Sequence, residues 1–116
     1  MRTVAFYETS DGKCPVKEYL DTLNVEDVEK ILYSIDMIEE LDNVPAKFFK
    51  YLESGIYEVR AERKGNIFRL LGFFSVGCFV ILTNGFTKKE QKTPRKEIEI
   101  AKKRRSDYLR RKGDGK

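Results

Sequence analysis

The chain has no histidine and no tryptophan, and it has only two cysteines among its 116 residues. Without histidine it lacks the commonest general base and metal ligand, which excludes Ser–His and Cys–His catalysis and histidine zinc sites. Cys14 and Cys78 lie far apart, which favours reduced thiols over a disulfide or a metal site. Any chemistry must use arginine, lysine and acidic groups, a set that suits a phosphodiester substrate.

Long apolar segments are also missing. No run approaches the roughly 20 residues that cross a bilayer, and residues 1–8 contain no secretory apolar region. We therefore expect a cytoplasmic protein without a membrane partner. The length is that of one domain and suffices to bury a core without disulfides. The sequence predicts a single domain over residues 1–116, with 113–116 as a frayed tail.

The net charge of +4 is unevenly distributed along the chain. Residues 1–50 carry an excess of five acidic side chains, whereas residues 51–116 carry an excess of nine basic ones. Such a distribution points to a polyanionic partner for the second half. The alternative is a solvated surface whose charge is simply uneven.

Hydrophobic periodicity predicts an α+β fold with the element order β-α-α-β-β-β-α. Short turns between the later strands predict a small antiparallel sheet, and Asn24 and Thr93 are predicted N-caps. Residues 48–54 are ambiguous and are assigned to a helical turn. The predicted strands are 3–7, 56–62, 67–74 and 78–84, and the predicted helices are 15–23, 25–41 and 94–111.

Two arginines form the first candidate site. Arg60 and Arg69 fall on consecutive strands joined by a short hairpin, so we expect them to lie close across the sheet. Their guanidinium groups repel each other unless an anion lies between them. Glu58, on the same face as Arg60, supplies that anion if the cluster is a surface network. An RNA phosphate supplies it if the cluster is a clamp.

Lysines extend this cluster. Lys88, Lys89 and Lys92 follow the last predicted strand and precede a helix N-terminus, which itself attracts anions. Together with the two arginines they predict a groove for a polyphosphate chain. A second basic run either tracks an RNA backbone or forms the solvated face of the last helix. That run comprises Lys102, Lys103, Arg104 and Arg105.

Several stretches carry a family resemblance. They are Phe6-Tyr7-Glu8, residues 12–23 with Pro-Val and Glu-Tyr-Leu, Gly-Ile-Tyr-Glu-Val-Arg at 55–60, Phe68-Arg69, and Gly-Phe-Thr-Lys-Lys-Glu-Gln-Lys-Thr-Pro at 85–94. In their order and spacing they resemble the RelE/ParE superfamily of bacterial toxins, most closely its HigB-like, phage-related branch. The resemblance covers nearly the whole chain.

The resemblance implies an antiparallel sheet with helices packed on one face. It implies a ribosome-dependent mRNA endoribonuclease of a type II toxin–antitoxin system, acting on ribosome-bound mRNA. A helix-turn-helix antitoxin from the same operon neutralises such toxins, and the complex binds operator DNA through it. Arg60, Arg69, Lys88 and Lys89 stand at the matching catalytic positions. The RelE branch uses a tyrosine near the start of the last helix, whereas the predicted last helix of this chain contains no tyrosine before Tyr108.

The predicted mechanism needs neither metal nor cofactor, because the RNA's own 2′-hydroxyl is the nucleophile. Arg60 and Arg69 would hold the non-bridging phosphate oxygens, and Lys88 or Lys89 would move a proton. Two alternatives remain open. One is a ParE-like inhibitor of DNA gyrase without nuclease activity, and the other is a non-catalytic module that binds RNA or the ribosome.

Overall fold

The computed structural model describes residues 2–77, 79–88 and 92–114. These residues form five strands and three helices. In chain order the elements are β1 (Thr3–Phe6), α1 (Pro15–Asp21), α2 (Val25–Glu40), β2 (Phe49–Glu53), β3 (Ile56–Arg63), β4 (Asn66–Phe74), β5 (Phe79–Lys88) and α3 (Arg95–Asp114).

All five strands belong to one sheet, in the order β1-β5-β4-β3-β2. β3, β4 and β5 form the predicted antiparallel meander, and β2 extends it by one antiparallel strand. β1 instead pairs with β5 in parallel, with Thr3 opposite Phe79. The sheet is therefore mixed, and the expectation of a purely antiparallel sheet was wrong. The sequence of β1 carries no signal of its direction. After β1 the chain passes through α1 and α2 to β2, which lies at the opposite edge of the sheet.

Residues 48–54, assigned to a helical turn from the sequence, contain the edge strand β2 instead. Phe49 pairs with Val59 and Tyr51 pairs with Tyr57 on β3. The rings of Phe49 and Tyr57 are stacked with their centroids 4.9 Å apart. Cross-strand aromatic pairs of this kind stabilise a sheet edge. They depend on a partner strand, so the short and partly charged sequence of β2 gave no local signal.

The helices cover both faces of the sheet, which corrects the expectation that they pack on one face. We call the two sides the α1/α2 face and the α3 face. On the first, Val16, Ile31, Ile35 and Ile38 pack against Val59, Ala61, Phe68, Leu70, Val80 and Leu82. On the second, Ile98 and Ala101 pack against Ile56, Leu71, Phe73 and Ile81. Because the central strands are apolar on both sides, each side requires a cover.

The element ends follow the sequence signals in part. The side chain of Asn24 caps α2 as predicted, accepting from the Asp27 amide at 2.9 Å. α3 extends to Asp114, into the segment predicted to fray, and residues 115–116 lie outside the described ranges.

Cys14 is a free thiol, whereas Cys78 lies outside the described ranges. Among the described helices, none combines the length and the apolarity needed to span a bilayer.

Gly85 lies inside β5, which runs four residues past its predicted end. A Cβ atom built at Gly85 would meet the ring of Tyr19 and would lie 2.6 Å from Leu70 Cδ2. α1 crosses the strand at this point, and the Tyr19 hydroxyl lies 2.7 Å from Thr87 Oγ1. Burial raises the pKa of Tyr19 to about 12. Glycine at this position thus lets α1 pack directly on the strand that ends at Lys88.

We predict that Gly85→Ala destabilises the protein by about 1–3 kcal/mol, because the added methyl overpacks this contact. Urea denaturation would measure the free energy of unfolding. Tyr19→Ala makes room for the methyl, so in a double-mutant cycle the two substitutions together should cost less than their sum. Strict additivity would show that α1 does not press on Gly85.

Candidate functional site

The two predicted site arginines are brought together by the β3–β4 hairpin. Arg60 and Arg69 are directly opposite each other in the antiparallel register. Both lie on the α3 face, two positions along the strands from the Glu58–Leu71 pair. The predicted proximity is confirmed, and it follows from strand alternation and from the short turn between Arg63 and Asn66.

Glu58 holds the anionic position between the two guanidinium groups. Its Oε1 lies 3.3 Å from Arg60 Nε and its Oε2 lies 3.4 Å from Arg69 Nη1. The cluster is not the surface network that the sequence left open as an alternative. The side chain of Arg69 is 0% exposed and that of Glu58 only 2%, whereas that of Arg60 retains 21% exposure. Of the two arginines, Arg60 is the one that reaches solvent.

Thr93 completes the buried cluster from the segment that leads into α3. Its hydroxyl donates to Glu58 Oε2 and accepts from Arg69 Nη1, the latter at 3.0 Å. Thr93 is 9% exposed. The sequence identified Thr93 only as a helix cap, because nothing local links it to a glutamate 35 positions away. Its contact with Glu58 is the part of the site that sequence reasoning missed.

An open groove of about 340 Å³ lies beside this cluster, between β2, β3 and the start of α3. Three cationic side chains line it, together with two carboxylates and smaller groups. The lining residues are Lys50, Leu52, Glu53, Glu58, Lys92, Thr93, Arg95 and Ile98. Lys92 thus lies where the sequence predicted it, near the arginine cluster. Within the described residues, no group of three or more acidic or cysteine side chains is placed to hold a metal ion.

A larger groove of about 760 Å³ lies between α2 and the edge of β3. Arg60 contributes to it, but so do Glu26, Glu29 and Glu62 alongside its lysines. Arg63 and two lysines bring the basic side chains to four against three carboxylates, the same excess of one as in the smaller groove, so charge does not rank the two grooves as sites for a polyanion.

One known protein family matches most of the chain. Residues 18–106 match the family described as "Phage derived protein Gp49-like (DUF891)". The chain belongs to this Gp49-like family. The family is RelE-like and toxin-like, which supports the resemblance at superfamily level and leaves the HigB-like branch a prediction. No curated protein matches the chain at a significant level.

The Gp49-like match includes the predicted lysines at the end of β5. Lys88 is the last residue of that strand rather than part of a loop, and it pairs with Ile67. Two residues earlier, Phe86 is opposite Arg69, so alternation places Lys88 on the α3 face as well. Lys88 and Arg60 therefore flank β4 on one side of the sheet, about 10 Å apart across the strands and offset by two residues, about 7 Å, along them. Lys89 lies outside the described residues.

The second basic run does not form one continuous surface. Lys102 Nζ lies 2.9 Å from Glu53 Oε2, and Arg104 donates to the Thr83 carbonyl at 3.0 Å. Arg105 donates to the Ser54 carbonyl, and Lys103 is exposed. A helix distributes four consecutive residues around its axis. Three of these four side chains therefore reach the sheet and its connections, and they hold α3 in place. Their contact with RNA stays a prediction.

Glu53 joins the β2–β3 hairpin to α3. Arg95 binds it through both ends of the guanidinium, at 2.6 and 2.5 Å, and also lies 2.7 Å from Glu99. Hydrogen bonds from Arg95, and secondarily from Lys102, lower the pKa of Glu53 to about 2. The same pairing raises the pKa of the Arg95 guanidinium above its ordinary value. These ion pairs fix one wall of the smaller groove.

The depressed pKa of Glu53 predicts an acid-sensitive contribution to stability. A carboxylate whose pKa is lower in the folded state stabilises the fold above its ordinary value of 4.5, and this stabilisation is lost as the pH falls toward about 2. In thermal melts across that window, the melting temperature of the parent should fall more steeply than that of Glu53→Gln. Glu40→Gln, at an exposed acid on α2, is the matched control. Equal acid sensitivity of parent and Glu53→Gln would contradict this role.

Proposed function

We propose that this protein is a HigB-like toxin of a type II toxin–antitoxin system that cleaves mRNA on the ribosome. The observation that carries the proposal is the Arg60 guanidinium, which a buried carboxylate orients at the border between the core and solvent. A charge fixed before the substrate arrives stabilises a developing anion far better than a mobile one. The toxin-like family of the chain and its basic second half support the same conclusion.

The proposed reaction is attack of an RNA 2′-hydroxyl on the adjacent phosphorus. The O2′–P bond forms and the P–O5′ bond breaks, which leaves a cyclic phosphate and a 5′-hydroxyl. The 2′-hydroxyl loses one proton, and the leaving oxygen gains one. Arg60 binds the non-bridging oxygens as negative charge builds on the phosphorane. Positioning and electrostatic stabilisation supply the rate enhancement, so the chain needs no metal for this step.

Arg69 has a different part in this mechanism from the one that the sequence predicted. Its burial does not favour direct contact with a phosphate. It acts as a fixed cation behind Glu58 and stabilises that carboxylate in the core, where an unpaired charge would be strongly unfavourable. The proposed phosphate clamp thus consists of Arg60 with Lys88 and Lys92, and Lys89, which lies outside the described residues, stays a predicted member.

Proton transfer falls to the lysines. Arginine stays charged and is a poor proton shuttle. Glu58 accepts hydrogen bonds from Thr93 and Arg69 and pairs with Arg60, so its oxygens are already engaged. Lys88, half-buried at the end of β5, is the described side chain best placed to move a proton. Lys89 is the second candidate.

The partners follow from the charges. Ribosome-bound mRNA supplies the polyanion for the cationic face, and the cognate helix-turn-helix antitoxin neutralises the toxin. Through the antitoxin the complex would bind operator DNA. None of these partners requires a cofactor.

A gyrase inhibitor is the second candidate, and a specific observation favours it. Much of the basic run is engaged within the protein, and no tyrosine stands at the start of α3. A toxin that only binds its target needs no proton shuttle, and the same holds for a non-catalytic module that binds RNA or the ribosome.

Arg60→Ala should reduce the single-turnover cleavage rate on programmed ribosomes by about a hundred- to a thousandfold, the usual effect of removing one preorganised charge. Arg60→Lys should also fail, because a point charge does not reproduce a two-oxygen fork. Arg63→Ala is the matched control, since Arg63 lies on the same strand but pairs with Asp27 at 2.9 Å on the α1/α2 face. A folded Arg60→Ala protein that cleaves at the parent rate would exclude the clamp.

Induced expression of the chain without a partner should stop growth by arresting translation, because the family is toxin-like and the proposed substrate is translated mRNA. Primer extension on a reporter transcript should locate breaks within translated codons. Plasmid supercoiling, measured in the same cells, separates the candidates. Loss of supercoiling with intact mRNA would support the gyrase inhibitor and contradict the nuclease.

A further inference from the structure

We propose that Thr93 is a positioning residue for Arg60 and that it acts through Glu58. The inference rests on the proposed phosphate-binding role of Arg60. It assigns to a hydroxyl in the wall of the smaller groove a specific part in orienting the guanidinium that meets the substrate.

The two carboxylate oxygens of Glu58 have different partners. Oε2 accepts from the Thr93 hydroxyl and from Arg69 Nη1, whereas Oε1 lies 3.3 Å from Arg60 Nε. This division leaves one oxygen for the buried side of the cluster and the other for Arg60. The plane of the carboxylate is thereby set by contacts made on its buried side.

The hydroxyl of Thr93 performs two tasks at once. It donates to Glu58 and accepts from Arg69 Nη1 at 3.0 Å, so it lies between the two charges. Because Thr93 is only 9% exposed, bulk water has little access to take over this double role. Serine and threonine carry the needed donor and acceptor on one short side chain, whereas valine has the same shape and neither function.

Removal of this hydroxyl would alter the competition between the two arginines. Both guanidinium groups flank the same carboxylate, and carboxylates favour a two-oxygen contact with arginine. Without the Thr93 hydroxyl bridging Oε2 and Nη1, Glu58 can turn to present both oxygens to Arg69. That rotation takes Oε1 away from Arg60 Nε and leaves the guanidinium of Arg60 less well oriented.

A misoriented Arg60 should affect the transition state more than substrate binding, because Lys88 and Lys92 still attract the RNA. Thr93→Val should therefore lower the maximal cleavage rate about 10- to 100-fold and change the half-saturating ribosome concentration less than threefold. Thr93→Ser keeps the hydroxyl and should restore the parent rate. A lower maximal rate with a nearly unchanged half-saturating concentration, restored by Thr93→Ser, distinguishes a positioning role from a general loss of stability.

Thr83→Val is the matched control. Thr83 is a fully buried threonine on β5, and its hydroxyl donates to Asn84 Oδ1 at 2.6 Å and lies 3.1 Å from the Leu71 carbonyl. Thr83→Val therefore removes a buried hydroxyl whose partners are an amide and a backbone carbonyl rather than Glu58 or an arginine. Thermal unfolding of each variant establishes that the compared proteins are folded. If Thr93→Val does not fold, Thr93→Ala removes the same hydroxyl with a smaller side chain.

A second readout does not depend on cleavage. The Nε–H of Arg60 donates toward Glu58, so its resonance in a ¹⁵N NMR spectrum, assigned with Arg60→Lys, reports that contact directly. The proposal expects this resonance to shift or broaden in Thr93→Val, to return in Thr93→Ser and to persist in Thr83→Val.

An unchanged Arg60 resonance in Thr93→Val would overturn the inference, and so would an equal loss of rate in Thr83→Val. If the parent protein cleaves no RNA, the proposed function fails. In that case the resonance alone decides whether Thr93 orients Arg60.

Discussion

The buried carboxylate of Glu58 is the interaction on which the candidate site depends. It pairs with the fully buried Arg69 and with the partly exposed Arg60, and it accepts a hydrogen bond from the hydroxyl of Thr93. A buried guanidinium would be strongly destabilising without such a partner. One side chain therefore joins β3, β4 and the start of α3, and the orientation of Arg60 follows from that junction.

The position of α3 gives the two faces of the sheet different surroundings. The α1/α2 face is covered by an apolar core, whereas the α3 face combines a core with a cationic margin. Basic side chains of α3 also fasten the helix to the hairpin through Glu53 and through backbone carbonyls. Much of the positive charge in the second half of the chain is thus structural, and Arg60, Lys88 and Lys92 remain the proposed contacts with the substrate.

Several features were predictable because their causes are local. The apolar spacing of α2 and its Asn24 cap identify that helix, and the turn after Arg63 places Arg60 opposite Arg69. β2 was not predictable, since its aromatic residues are stabilised by a neighbouring strand rather than by their own pattern. Lys88 was assigned to a loop for a related reason. Residues 85–88 continue β5 because they pair with residues 67–70 of β4, and that pairing is not visible in the sequence of β5 itself.

The sequence by itself determined that any chemistry must proceed without histidine, and that Glu58, Arg60 and Arg69 share one face of a hairpin. Both conclusions follow from composition and from the alternation of side chains along a strand. Only the tertiary structure decided which arginine is buried and which reaches solvent. That choice depends on where α3 lies across the sheet and on a contact between Glu58 and Thr93, residues 35 positions apart. Local sequence patterns do not encode such long-range packing.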